Sequence, residues 1–312
     1  MMAKDVIFIS TSEEVAELVD WVARQDTWLG DLQPPLYIDI EGERLGRYGK
    51  ISLLTVLVYP GQGLERPHII DIHGLGRTAF STVGRRGKSL RDILESPQFL
   101  KVFFDVRNDS DALYAHYGIK LQGVRDVQLM ESACRATTDR RSFVSGLAAC
   151  IEEFLHGQER NRWRLCKKNG ERLWNPQKGG SYSVFNSRPL SDDIIEYCVG
   201  DVQYLPGLYH KYSRGTDRWR KLIAEESQNR VIASQKTEYQ PSGEGRARSP
   251  WSLEQNKTLD FWGEVNPPND YFGSFEDDDV DSTWDDRLDW EDDRDDNDYE
   301  DWTRAPWQGP PS

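Results

Sequence analysis

The sequence predicts an α/β fold: one domain with a mixed β-sheet flanked by helices, then a disordered acidic C-terminal tail. Three observations carry this reading. Short apolar runs at hairpin-like spacing come early in the chain, apolar strands then alternate with segments of helical period, and apolar periodicity stops near residue 235. Strands first and alternation afterwards imply a mixed sheet covered by helices. The expected division is therefore 1–234, a folded domain closing on a C-terminal helix, and 235–312, a disordered acidic, Trp-rich tail.

The elements follow in order. "VIFIS" reads as a short strand and "SEEVAELVDWVARQ" as an amphipathic helix, with Ser12 in the capping position. "LYIDIEG", "ISLLTVLVY" and "HIIDI" read as three strands. A helix follows around "LRDILES", then a strand "KVFFDV", a helix "SDALYAHYG", a short strand near "VRDVQL", a helix "FVSGLAACIEEFL" and a long helix from Ser191. No internal repeat is apparent.

Composition sets the frame. A chain of 312 residues with 37% hydrophobic content can bury one substantial core. Cys134, Cys150, Cys166 and Cys198 contain no pair at zinc-ligand spacing, which suits reduced thiols of an intracellular protein. No apolar stretch approaches the roughly 20 residues of a membrane span, and the N-terminus lacks the apolar region of a signal peptide. A soluble intracellular protein is expected, nuclear or cytoplasmic placement being open, with no membrane partner.

The net charge of -14 is unevenly distributed. The run from Asp270 to Asp301 holds 17 acids and two arginines, a local balance of -15, so the remaining residues together sum to +1. Within that near-neutral part, residues 157–188 carry eight Lys and Arg against two Glu, interleaved with Trp163, Trp174, Tyr182 and Phe185. Basic groups among aromatic rings are what a single-stranded nucleic acid needs for backbone neutralisation and base stacking. Arg162, Arg164, Lys167, Lys168 and Arg172 are the candidates, and the bland alternative is a solvated charged loop with the tryptophans in the core.

Three places carry more acid than local structure requires. In "PPLYIDIEGE", Asp39 and Glu41 are two apart on a strand and therefore share a face at the end of a buried run. Such a pair repels itself unless a cation lies between, although a solvated turn is the plain alternative. In "KVFFDVRNDSDALYAHYG", Asp105, Asn108, Asp109 and Asp111 cluster where a helix starts. Helix capping and the helix dipole explain one acid there more readily than three. In "DDIIEYCVGDVQYL", Tyr197 and Asp201 stand one helical turn apart on one face.

Together these motifs resemble the three exonuclease motifs of the DEDD superfamily, and in their order the ribonuclease D-like 3′–5′ exonuclease domain. Asp39 and Glu41 match the first motif, Asp109 the second, with Asp111 as a competing register, and Tyr197 with Asp201 the third. The histidine of the His-containing branch would fall at Glu196, whereas the tyrosine of the DEDDy branch falls at Tyr197, so the Tyr branch fits. The resemblance covers residues 5–215, extends to "GGSYSVFNSRPLSDDIIEYCVGDV", and is similar to exonuclease-domain proteins common in fungi. One departure is Leu54-Thr55, where such domains often carry Gln.

The resemblance implies a ribonuclease H-like fold and hydrolysis of single-stranded RNA or DNA, RNA somewhat favoured, to nucleoside 5′-monophosphates. It implies two Mg²⁺ or Mn²⁺ ions held by Asp39, Glu41, Asp109 and Asp201, with Tyr197 orienting the attacking water. A member that had lost turnover and served as an RNA-binding adaptor is the alternative. The tail holds Trp251, Trp262, Trp284, Trp290, Trp302 and Trp307, six of 11 tryptophans, among its acids. It suits a mimic of a nucleic-acid strand that lies on the protein's own basic groove, a protein partner, or simple solubilisation.

Overall fold

The computed structural model describes residues 6–24, 34–59, 66–214 and 216–261. Its six strands are β1 (Ile7–Ile9), β2 (Leu36–Glu41), β3 (Leu53–Val58), β4 (Pro67–Asp71), β5 (Lys101–Phe103) and β6 (Val124–Asp126), ordered β1-β4-β3-β2-β5-β6 across one sheet. β2, β3 and β4 form an antiparallel meander, while β1 joins β4, and β5 and β6 extend from β2, all in parallel. The sheet is mixed, as the sequence predicts.

Among the described residues, twelve α-helices surround or extend the sheet. They are α1 (Ser12–Ala23), α2 (Ile72–Leu75), α3 (Thr78–Ser81), α4 (Leu90–Glu95), α5 (Arg107–Tyr117), α6 (Val127–Ala133), α7 (Leu147–Phe154), α8 (Gly157–Trp174), α9 (Asp192–Val202), α10 (Leu205–Tyr212), α11 (Asp217–Ser234) and α12 (Leu253–Phe261). Alternation along β2 divides the core. Ile38 and Ile40 pack with Val15, Leu18 and Val19 of α1 and Leu113 of α5, whereas Tyr37 packs on the opposite side with Leu129 of α6 and Tyr209 of α10. Asp39 and Glu41 alternate with Ile38 and Ile40 and so share the face of Tyr37. All six residues of β3 are buried, consistent with cover on both faces.

Three sequence readings are corrected. The cap of α1 is Thr11, not Ser12: Thr11 Oγ1 accepts from the Glu14 amide, and Glu14 accepts from the Thr11 amide at 3.0 Å, a closed capping box. Residues 157–174 form the 18-residue helix α8, not a solvated basic loop. Finally, the chain after 234 stays on the folded body as far as it is described, so the boundary at 235 does not hold. Trp251 is 7% exposed and donates its indole N–H to Ser132 Oγ at 3.0 Å. Asn256 Oδ1 accepts from the fully buried Arg141 at 2.9 Å, and Asp260 pairs with the same guanidinium. These anchors are few and widely spaced, so periodicity does not register them. The acidic run from Asp270 lies outside the described residues. Among those described, no helix is long and apolar enough to cross a membrane.

Candidate metal centre and nuclease site

β2 lies between β3 and β5, and its last turns of pleat carry the first two acids. Asp39 sits opposite Thr55 and Glu41 opposite Leu53. α9, capped by Ser191, packs on this strand and presents Tyr197 and Asp201 one turn apart. Asp39, Glu41 and Asp201 each offer a carboxylate oxygen, and these three oxygens lie within 4.8 Å of one another.

Asp109 belongs to the first turn of α5, and the structure separates it from Asp111. Asp111 is held by Arg47, whose Nε and backbone N–H each donate to it at 2.7 Å. Asp109 is buried and feels the charge of Asp39. The acids here are not caps, because the cap position is Val106 and it makes no side-chain cap bond. Asn108 accepts from the Tyr239 hydroxyl at 2.8 Å, and Asp105 accepts from Arg107 at 2.5 and 2.7 Å and from Arg246 at 3.0 Å. Asp105 adopts a left-handed backbone (φ 57°), which Asp tolerates better than most side chains and which turns the chain from β5 into α5.

Burial and mutual repulsion disfavour the charged state throughout this cluster. The Asp39 carboxyl is pushed up to about 8, first by burial and then by Asp201. Burial and Asp39 raise Glu41, and burial followed by Asp39 and Asp105 raises Asp109. Asp201 is raised by burial against the opposing pull of Lys167. Asp105 shows the reverse: burial works against its charge, but Arg107, Arg230 and Arg246 outweigh it and hold the carboxyl well below its usual range.

The cluster fits a divalent cation on one further observation. Asp39 Oδ2 is buried and has no hydrogen-bond partner among the described residues. An orphaned carboxylate oxygen beside two other carboxylates is a donor set of the kind hard cations take.

Of the five basic candidates, α8 separates one from the rest. Lys167 Nζ donates to both oxygens of Asp201, at 2.8 and 2.7 Å, and lies 4.1 Å from the centroid of the Tyr197 ring. It is therefore part of the acidic cluster. Arg162, Arg164, Lys168 and Arg172 stay on the exposed side of α8, where Arg164 also bonds Glu152 at 2.8 Å. Trp163 is 4% exposed and belongs to the core, and Trp174 stacks on Tyr182 at 5.6 Å.

α8 reaches Tyr197 because of Gly170. A Cβ at that position would stand 2.5 Å from Tyr197 Cβ, so only glycine permits this approach of α8 to α9. Sequence reasoning missed both Gly170 and the inward role of Lys167. The spacing Trp163, Lys167, Gly170, Trp174 is nevertheless the three-and-four pattern of one helix face, and it marks both.

Comparison with known proteins agrees with this geometry. Residues 6–215 match the family model of the 3′–5′ exonuclease. The mouse piRNA biogenesis protein EXD1 is 35% identical over 173 residues, which is 55% of this chain and 28% of that protein; its human counterpart is 27% identical over 177 residues, 55% of this chain and 31% of that protein. The chain thus matches less than a third of the length of these curated relatives. Among solved structures, Trypanosoma brucei RNase D in complex with GMP superposes with a TM-score of 0.58 at 20% identity, covering 81% of this chain and 70% of that one. The same enzyme in complex with RNA U12 gives 0.58 at 18% identity, covering 81% and 78%. The catalytic core of RRP6 from that organism gives 0.51 at 14%, covering 73% and 52%. These likenesses show a shared fold, the ribonuclease H-like sheet with flanking helices. With two thirds of its length inside the family match, the chain belongs to the 3′–5′ exonuclease family.

Proposed function

We propose that this chain is a divalent-metal-dependent 3′–5′ exonuclease that shortens single-stranded nucleic acid, RNA in preference, and releases nucleoside 5′-monophosphates. The convergence of Asp39, Glu41 and Asp201 within 4.8 Å beside the buried, unpartnered Asp39 Oδ2 carries this reading. Asp39, Glu41, Asp109 and Asp201 would hold two Mg²⁺ or Mn²⁺ ions. Such ions supply concentrated positive charge to the attacking water and the leaving 3′ oxygen. The protein's own part is positional: β2 and α9 fix the carboxylates, Tyr197 orients the water through its hydroxyl, and the exposed bases of α8 steer the strand. Preference for RNA is supported by the RNA U12 bound to the trypanosomal RNase D and by the piRNA role named for EXD1.

A second reading is a strand-binding adaptor without turnover. One observation favours it: Lys167 engages both oxygens of Asp201, a residue the nuclease needs for metal. End-labelled single-stranded RNA and DNA, incubated side by side with Mg²⁺ or with chelator, distinguish the two. Metal-dependent shortening from the 3′ end, faster on RNA, is expected. Intact oligonucleotide bound by the protein in Mg²⁺ and Mn²⁺ would establish the adaptor instead.

A further inference from the structure

Lys167 invites a more specific assignment, which rests on the metal-dependent reading above. Its ammonium is placed symmetrically on the Asp201 carboxylate, at 2.8 and 2.7 Å, with the Tyr197 ring 4.1 Å beneath it. The salt bridge is mostly enclosed, with side-chain exposures of 17% for Lys167 and 6% for Asp201. Burial opposes the ammonium's charge, and Asp201, Glu41 and Asp39 together outweigh that and keep it protonated. Lys167 therefore places its ammonium on a carboxylate of the cluster proposed above to receive cations.

We propose that Lys167 is a tethered cation that competes with one divalent ion for Asp201 and is released to the scissile phosphate when a strand binds. The charge balance argues for coupling between the two events. Four ionised carboxylates are neutralised by two divalent ions alone. With Lys167 also present the loaded site is one positive charge in excess, and a phosphodiester supplies the matching negative charge. Without the strand, the lysine satisfies Asp201 and the second ion enters at a disadvantage. With the strand, the ammonium gains a phosphate oxygen and Asp201 is freed.

The fold permits this movement in the side chain and resists it in the backbone. Gly170 locks α8 against Tyr197, so the Lys167 backbone cannot withdraw from the cluster. Its four-carbon stem can swing, and the residual exposure gives it a route outward. Lysine suits this role better than arginine, whose planar fork would hold a carboxylate in two parallel hydrogen bonds.

The test measures Mn²⁺ binding to the full chain by the paramagnetic resonance of the free ion, at salt high enough to screen the acidic run. Asp39→Asn serves as the baseline for ions bound elsewhere. The wild type should show one tight and one weak ion above that baseline, and Lys167→Met should tighten the weak one at least tenfold. A non-hydrolysable phosphorothioate strand should tighten the weak ion by a larger factor in the wild type than in Lys167→Met. Lys167→Arg, which retains the charge, should weaken the second ion further and guards against a folding artefact in the methionine variant. Equal affinities for both ions in wild type and Lys167→Met would overturn the proposal while leaving the nuclease reading intact. Unchanged Mn²⁺ binding in Asp39→Asn would instead remove the metal site itself, and both inferences with it.

Discussion

Replacing Asp39 by Asn should stabilise the metal-free protein and abolish its activity, and the structure sets the size of the first effect. The Asp39 carboxyl rises from 3.8 to about 8 on folding, chiefly through burial. At about 1.4 kcal/mol per unit, a shift of that size corresponds to roughly 6 kcal/mol of opposition to the charged state. Partial exposure and sharing of the charge with Glu41, Asp201 and Lys167 reduce what one substitution recovers to about 2 kcal/mol. The sign follows from the raised value. Below about pH 4 the group is protonated folded or unfolded and imposes no penalty; the penalty grows as pH rises and is complete above about 8. In chelator, Asp39→Asn should therefore melt roughly 5 °C above the parent at pH 8.5 and within about 1 °C of it at pH 4.5. The amide forfeits no hydrogen bond at the position of Oδ2, which has none among the described residues. Excess Mg²⁺ should raise the parent's melting temperature and leave the variant nearly unmoved. A lower melting temperature for the variant at pH 8.5, or a gain of equal size at both pH values, would refute the electrostatic account.

The remaining predictions concern the groups around the cluster. Tyr197→Phe should lower the single-turnover rate about 10- to 100-fold with Mn²⁺ affinity unchanged, and an unaltered rate would confine Tyr197 to packing. Replacing Arg162, Arg164, Lys168 and Arg172 by Ala together should weaken strand binding and flatten the plot of log affinity against log salt by about 0.7 for each phosphate no longer neutralised; an unchanged slope would place the nucleic-acid path elsewhere. Trp251→Ala, which removes a buried ring and its bond to Ser132, should cost about 3–5 kcal/mol in urea unfolding, and a loss below about 1 kcal/mol would show that residues after 234 do not belong to the cooperative unit. A chain ending at residue 261 should bind oligonucleotide more tightly than the full chain at low salt, with the difference fading as salt rises, if the acidic run competes for the basic face; equal binding across salt would exclude that competition.

Most of the sheet is legible in the sequence because its strands are short apolar runs between polar turns, and β2, β3 and β4 fall where the pattern places them. α8 does not read as a helix, because only Trp163 and Gly170 are buried along 18 residues and its charges dominate the composition. α6 is buried along its whole length, so no alternation separates it from the strand before it, and "VRDVQL" divides into β6 and the start of a helix. At the candidate site, strand and helix spacing suffice to pair Asp39 with Glu41 and Tyr197 with Asp201. The choice between Asp109 and Asp111 needs the third dimension, since Arg47 lies 64 residues from Asp111 in the chain. Lys167 looks like its basic neighbours because charge composition carries no direction; only the helix face distinguishes a lysine that points inward.

The same distinction explains why a segment beyond the family match bears on the site. Asp39, Glu41 and Asp201 gather within 4.8 Å of one another, and Asp109, which feels the charge of Asp39, hangs from a single turn of α5 beginning at Arg107. That turn is fastened on its outer side. Arg47 joins Asp111 to the backbone oxygens of Ser234, Lys236 and Thr237, Tyr239 donates to Asn108, and Arg246 donates to Asp105 while its own carbonyl accepts from Arg107. Arg230 adds a bond to Asp126, whose two oxygens accept from the amides of Asp105 and Val106. Every acid of this turn except Asp109 thus has its own cationic partner. Removing such a partner exposes an unpaired carboxylate in a partly buried place, which costs more than the pair contributes. The arrangement leaves Asp109 alone facing Asp39. Its charge has no ion-pair partner among the described residues, so without a cation burial and Asp39 favour its neutral form, and a bound cation would favour the charged one. Together with Arg47 and Arg107, the strap from Arg230 to Arg246 pairs the other acids of this turn and leaves the one unpaired carboxylate at the candidate metal centre.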